Sequence, residues 1–230
     1  ETAIGIMKKV RDAIGGHPLS IKLRRALNET PQAAEWFEQV FQEACALDFA
    51  AIAVHGRTVE QKYTGFANRA FLATLRARVP ASWRGTLFGS GDVFCAEDAF
   101  RLYQQTGLNV WIARGAIGNP WIFQEFAALL RGEPLPAPPS VHAQRDALLE
   151  HFHLAVDIYG EELASRQMRK IGIKYAKLHP NGPAVWREFS AVKNQKDWEA
   201  VLERNYIEDS PGVKIGSVAD AEDVCNVSCR

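Results

Sequence analysis

Four short apolar runs, each ending in a polar turn, set what this chain can fold into. Pro18 to Arg24 (PLSIKLR) alternates apolar and polar residues as a strand does. Phe49 to Val54 (FAAIAV) is almost wholly apolar, the pattern of a strand buried on both faces, and stops at His55-Gly56-Arg57-Thr58. Thr86 to Phe88 stops at Gly89-Ser90-Gly91-Asp92, and Val110 to Ile112 at Ala113-Arg114-Gly115. Helical stretches lie between them. Thr30-Pro31 offers an N-cap and a first-turn proline, and Trp36, Phe37, Val40, Phe41, Ala44 and Leu47 follow as one apolar stripe. Further helices are predicted over 68–78, from about 96 to just before Gly107, and over 121–130. The strand-end residues Lys22, His55, Ser90 and Arg114 are 33, 35 and 24 apart, the repeat of βα units in a parallel sheet or barrel. Four units are counted where a closed barrel needs eight, and four alone leave two open sheet edges.

The rhythm ends at Gly132–Ser140 (GEPLPAPPS), a proline-rich linker. Beyond it, 142–203 reads as wholly helical with one turn at His179-Pro180-Asn181-Gly182-Pro183. From Glu208 the chain is polar and is expected to be disordered. The predicted organisation is a βα region over 1–131, a linker over 132–140, a helical region over 141–207 and a tail over 208–230.

Lys and Arg total 27, as do Asp and Glu, so the net charge of zero points neither to nucleic acid nor to membrane, and any such partner must be read from local charge. Cys45, Cys95, Cys225 and Cys229 form no CxxC pair, and His151 and His153, two apart on a helix, face different ways; no metal site and no disulfide framework are expected. Cys95 is read as a weak cap of the third helix. No run is apolar enough to span a bilayer. A cytoplasmic protein is expected, and one that begins at Glu1 because it is a processed or partial product.

In βα barrels the carboxyl ends of the strands face the active site. The turns at 89–92 and 113–116 follow the last two strands, where such barrels build phosphate sites from backbone N–H groups; the competing reading makes them tight turns only. Lys22, flanked by Ile21 and Leu23, either points inward to an anion or electron-rich ring or snorkels from a frayed edge. His55 either donates to a ligand oxygen or bonds its own loop. Between Leu163 and Arg187 there is no Asp or Glu, while Arg166, Arg169, Lys170, Lys174 and Lys177 recur at helical steps. That face suits a phosphate backbone; the alternative is a solvated helix face.

IKLR at 21–24, VHGRT at 54–58, GSGDV at 89–93, ARGAIGNPW at 113–121 and MRKIGIKYAKLHPNGPAVWREF after the linker resemble, in order and spacing, the tRNA-dihydrouridine synthases. The resemblance runs over roughly 1–205. It implies an α/β chain that is the C-terminal half of an FMN-binding (β/α)8 TIM barrel followed by an all-helical tRNA-binding domain. It implies that Lys22 and His55 contact the flavin ring, that Ser90, Gly91, Asp92, Ala113 and Arg114 hold the FMN phosphate and ribityl chain, and that Arg57 joins the helical cations on RNA. Ser90 stands where the family has Asn, and Ala113 where it has Gly. The implied reaction is NADPH-driven, FMN-dependent reduction of a tRNA uridine to 5,6-dihydrouridine, by a protein that is a monomer when full length. Its acid is a Cys in an Asn-x-Gly-Cys-Pro motif that this sequence lacks, so no catalytic residue is assigned and the chain alone is expected to be inactive. Two other readings are a non-catalytic RNA-binding remnant and a different FMN- or phosphate-binding barrel oxidoreductase; the latter leaves the acid-free helix unexplained.

Overall fold

A computed structural model describes residues 2–216 and divides them into two compact units, one reaching to Val93 and taking in Asp98–Ile112, the other formed by Phe94–Glu97 and the chain from Ala113 onward. The remainder of the expected tail, with Cys225 and Cys229, lies outside the described residues.

In the first unit, β1 (Ser20–Arg24), β2 (Ala51–His55), β3 (Thr86–Ser90) and β4 (Asn109–Val110) form one parallel sheet in chain order. β1 and β4 have one neighbour each among the described residues. Lys22 pairs with Ala53 and that with Phe88; Arg24 pairs with His55 and that with Ser90. Side chains alternate along a strand, so these six share one face. Ile52, Val54, Leu87 and Gly89 lie on the other. That second face is the dry one: Ile52 and Val54 are fully buried, and at Gly89 an added Cβ would stand 3.2 Å from Leu102 and from Leu108.

The helices of this unit are α1 (Thr2–Ile14), α2 (Pro31–Ala46), α3 (Arg69–Arg78) and α4 (Ala96–Thr106). The caps read from the sequence form. Thr30 Oγ1 accepts from Ala33 N at 3.3 Å, and Asn68 Oδ1 accepts from Phe71 N at 2.8 Å. Gly107 ends α4 at φ +65°. α1 was not predicted. It buries only Met7, although Ala3, Met7, Val10 and Ile14 recur at helical steps in its sequence; Arg11 ties it down by donating to Leu47 O and Asp48 O. β4 is shorter than the predicted run at 110–112; Trp111 N still donates to Gly89 O at 2.9 Å, while its carbonyl accepts from the Ser90 hydroxyl at 3.1 Å.

In the second unit a 3-10 turn (Arg114–Ala116) leads to α5 (Ile122–Arg131), α6 (Val141–Tyr159), α7 (Glu161–Tyr175), a second 3-10 turn (Ala176–Leu178), α8 (Gly182–Ala191) and α9 (Gln195–Asn205). Leu148, Phe152, Met168, Val185, Phe189, Trp198, Val201 and Tyr206 form its core. The long predicted helical stretch is broken at Gly160, whose φ of +76° other residues resist. The chain from Ala113 to Arg131 clusters with this unit, where Trp121 meets Tyr175 edge to face at 6.0 Å. The polar C-terminal segment is described as far as residue 216. Ser210 O accepts from Val141 N, Val213 N donates to Leu178 O, and Lys214 pairs with Glu97.

Candidate functional site

The polar sheet face carries the site. His55 is the last residue of β2, and its ring Nδ1 accepts the Arg57 backbone N–H at 3.2 Å. That bond assigns the ring proton to Nε2. Nε2 makes no hydrogen bond among the described residues. Burial first, then the Lys22, Arg24 and Arg57 charges, push the His55 pKa down to about 4 against a smaller opposing pull from Asp92. His55 is therefore a neutral N–H donor at neutral pH. Lys22 is exposed on the same face and makes no ion pair among the described residues; partial desolvation, then Arg24, hold its ammonium below the ordinary lysine range.

This shift predicts a pH dependence. An unfolded chain protonates His55 near 6.5, the fold only near 4. The contribution to stability is thus complete above pH 6.5 and is lost as pH falls toward 4. Between about pH 7 and about pH 5 the first unit is expected to lose on the order of 1 kcal/mol or less from this group, because solvent partly screens the half-buried imidazole, with a smaller loss in His55→Gln, read from urea midpoints.

Beside His55, Gly91 (φ +131°) and Asp92 (φ +52°) make the turn after β3. A Cβ on Gly91 would lie 2.4 Å from Ala67 Cβ and 3.6 Å from His55 Cε1, so only glycine fits. Asp92 Oδ2 accepts from Ala67 N at 2.7 Å, and Oδ1 stands 2.7 Å from Arg57 Nη1. Arg57 Nη2 also donates to Gly65 O at 2.6 Å. Arg57 is 4% and Asp92 8% exposed. The Arg57 guanidinium and the Asp92 carboxylate are thus both engaged inside the protein. Ser90, 3% exposed, spends its hydroxyl proton on Trp111 O. Residues 57 and 92 are far apart in the chain, and no local spacing signals their pairing.

In the second unit, Ala113 is exposed and the Arg114 guanidinium lies 5.0 Å over the centre of the Phe94 ring. The GNPW stretch is a packing element: a Cβ on Gly118 (φ +83°) would stand 2.5–2.8 Å from Lys174 and Tyr175 atoms. On the basic face, Arg166, Lys170 and Lys177 are exposed, and Arg169 and Lys174 half-buried. Glu162, one residue outside the acid-free stretch, pairs with Arg166 at 2.8 Å. His179 contrasts with His55: Nδ1 accepts from Asn181 N, Nε2 donates to Asn205 O, and the ring packs on Tyr206, so it is a satisfied core histidine. Cys45 is buried, and burial with the Glu38 charge pushes its thiol up to about 11. Among the described residues no His, Cys, Asp and Glu gather as a metal site, and no helix is long and apolar enough to cross a membrane.

The family model described as Dihydrouridine synthase (Dus) matches residues 1–210. A tRNA-dihydrouridine synthase B of Xanthomonas axonopodis pv. citri is 35% identical over 196 residues, covering 83% of this chain and 55% of its own. A probable tRNA-dihydrouridine synthase of Mycobacterium tuberculosis (strain ATCC 25618 / H37Rv) is 34% identical over 156 residues, 67% of this chain and 39% of its own. One from Treponema pallidum is 33% identical over 177 residues, 75% and 51%. The chain thus spans about half the length of the curated relatives it matches.

Proposed function

The chain belongs to the dihydrouridine synthase family, and from that premise we propose that it supplies the flavin-facing residues of an enzyme that reduces uridine in tRNA to 5,6-dihydrouridine. The observation that carries the reading is His55 Nε2–H beside the Lys22 ammonium on one polar sheet face, neither of them partnered among the described residues. A donor and a cation side by side suit the carbonyl-bearing, electron-rich edge of an isoalloxazine ring. The residues present therefore fit FMN. When bound, FMN would take hydride from NADPH and supply it to C6 of uridine.

Lys22 and His55 bind and orient the ring edge. Gly91, where a side chain is excluded, keeps the turn after β3 narrow enough for backbone N–H groups to approach an anion. Ala113 and Arg114 are assigned to the phosphate and ribityl chain on their sequence positions. Arg166, Arg169, Lys170, Lys174 and Lys177 are assigned to tRNA phosphates, which hold the substrate while the target base leaves its stack. The proton for C5 has no donor here in the expected motif, since Asn-x-Gly-Cys-Pro does not occur in the sequence, and Cys45 is held protonated and inert by its burial. We therefore assign this chain cofactor and RNA binding, and assign turnover to a protein that also carries that motif. The TIM-barrel, cytoplasmic and monomeric expectations belong to that whole protein.

Flavin fluorescence titration tests the reading, with a longer chain extended at the N-terminus to the length of its relatives measured alongside. Binding by both is expected, with Lys22→Ala and Arg114→Ala each weakening it about 10- to 100-fold, the value of a lost charge-assisted hydrogen bond. Binding by the longer chain alone would assign the cofactor to the whole protein. Binding by neither would overturn the flavin reading and leave tRNA binding through α7.

A further inference from the structure

We propose that Arg57 and Asp92 act as a buried clamp that orients His55 so that its Nε2–H is delivered to the ligand, and are not themselves ligand-binding groups. This rests on the reading that His55 meets a flavin.

The imidazole sits between two turns. On one side, the Arg57 N–H reaches Nδ1 at 3.2 Å, and it does so only while Gly56 and Arg57 keep their backbone course. That course is held by Gly56 N to Ser90 O at 3.0 Å, by Asn68 N to Gly56 O at 2.8 Å, and by the Arg57 side chain itself. On the other side, Gly91 lies against the ring and against Ala67. Asp92 fixes that second turn by accepting from Ala67 N with Oδ2, while Oδ1 meets Arg57 Nη1. Arg57 Nη2 closes the circuit on Gly65 O. The ion pair therefore joins the loop after β2 to the turn after β3, and the ring is held where they meet.

As a stabilising device the pair is poor. Among the described residues Arg57 Nε has no hydrogen-bond partner, and Nη1, though 2.7 Å from Oδ1, makes no hydrogen bond. Buried charges with unmet polar atoms contribute little net stability and often cost some. What the arrangement does supply is one ring orientation and one tautomer.

Nitrogen-15 NMR of histidine in the flavin-free 230-residue chain reads that tautomer. His55 is expected as Nε2–H in the parent protein and as a mixture in Asp92→Asn and in Arg57→Lys, whose ammonium cannot span Asp92 and Gly65 together. FMN Kd is expected to rise about 10-fold in each, and the double variant to be no worse than the worse single, since the two residues act as one unit. Leu75→Ala, in the core of α3, serves as a control that lowers stability without touching the clamp. It is expected to leave tautomer and Kd unchanged. The proposal is overturned if the folded clamp variants keep a pure Nε2–H tautomer and the parent Kd, or if Leu75→Ala shifts the tautomer as they do. Should one clamp variant not fold, the other is read alone. Should the parent bind no FMN, the flavin reading fails, while the tautomer comparison still decides the clamp.

Discussion

Trp198→Ala is expected to lower the stability of the helical unit by about 3–5 kcal/mol, enough to unfold much of it at ambient temperature. Trp198 is fully buried, stacks on Phe152 at 4.1 Å and meets Phe189 at 6.3 Å. Truncation removes the transfer energy of the indole and leaves a void among rings on separate helices, which cannot all collapse into it. Trp198→Phe distinguishes packing from polarity. The indole Nε1 is buried with no hydrogen-bond partner among the described residues, as is the hydroxyl of Tyr206 in the same core. Phenylalanine removes that unmet donor while keeping most of the ring contact, so its cost should be less than half that of alanine. Urea unfolding followed by far-UV circular dichroism measures both. Equal losses in the two variants would mean that indole packing is not what holds this core.

Gly118→Ala is expected to cost about 2–4 kcal/mol, an effect opposite to the usual gain from replacing a flexible glycine. Two penalties combine. The φ of +83° is a left-handed conformation that costs alanine on the order of 1 kcal/mol or more. The new methyl would also lie 2.5 Å from Lys174 Cβ, 2.6 Å from Lys174 C and 2.8 Å from Tyr175 N. Two of those three are backbone atoms at the end of α7 and cannot swing aside as a side-chain tip could. Thermal unfolding should show a Tm several degrees lower in this variant. An unchanged or raised Tm would mean that the 113–121 segment does not pack on α7 as described. Since Lys174 lies on the basic face of α7, the same variant should weaken tRNA binding if that face is the RNA surface.

The types and order of the main elements were legible in the sequence because their signals are short-range. Thr30 and Asn68 cap the helices they precede, Gly107 ends α4, and the FAAIAV run forms a buried strand, since capping and side-chain alternation need only neighbours within a few residues. The placement of Lys22 and His55 on one face was implicit in strand alternation once the register is known. α1 was legible too, since Ala3, Met7, Val10 and Ile14 recur at helical steps, but it was not read. The break at Gly160 was open to a reader of glycines, since its φ of +76° is one that glycine adopts freely.

Only the tertiary structure decided what the polar residues at the turns do. Arg57, Asp92 and Ser90 carry donors and acceptors that could serve a ligand or the protein equally well. The choice depends on which backbone groups the fold leaves unpaired nearby: Gly65 O and Trp111 O needed donors, and Ala67 N an acceptor. The same holds for the segment 209–214, which is polar enough to read as unstructured yet is held by backbone bonds to Val141 and Leu178. Such contacts join residues far apart in the chain. Their energy comes from desolvated groups meeting across the fold, and no local pattern of residue types encodes which groups will meet.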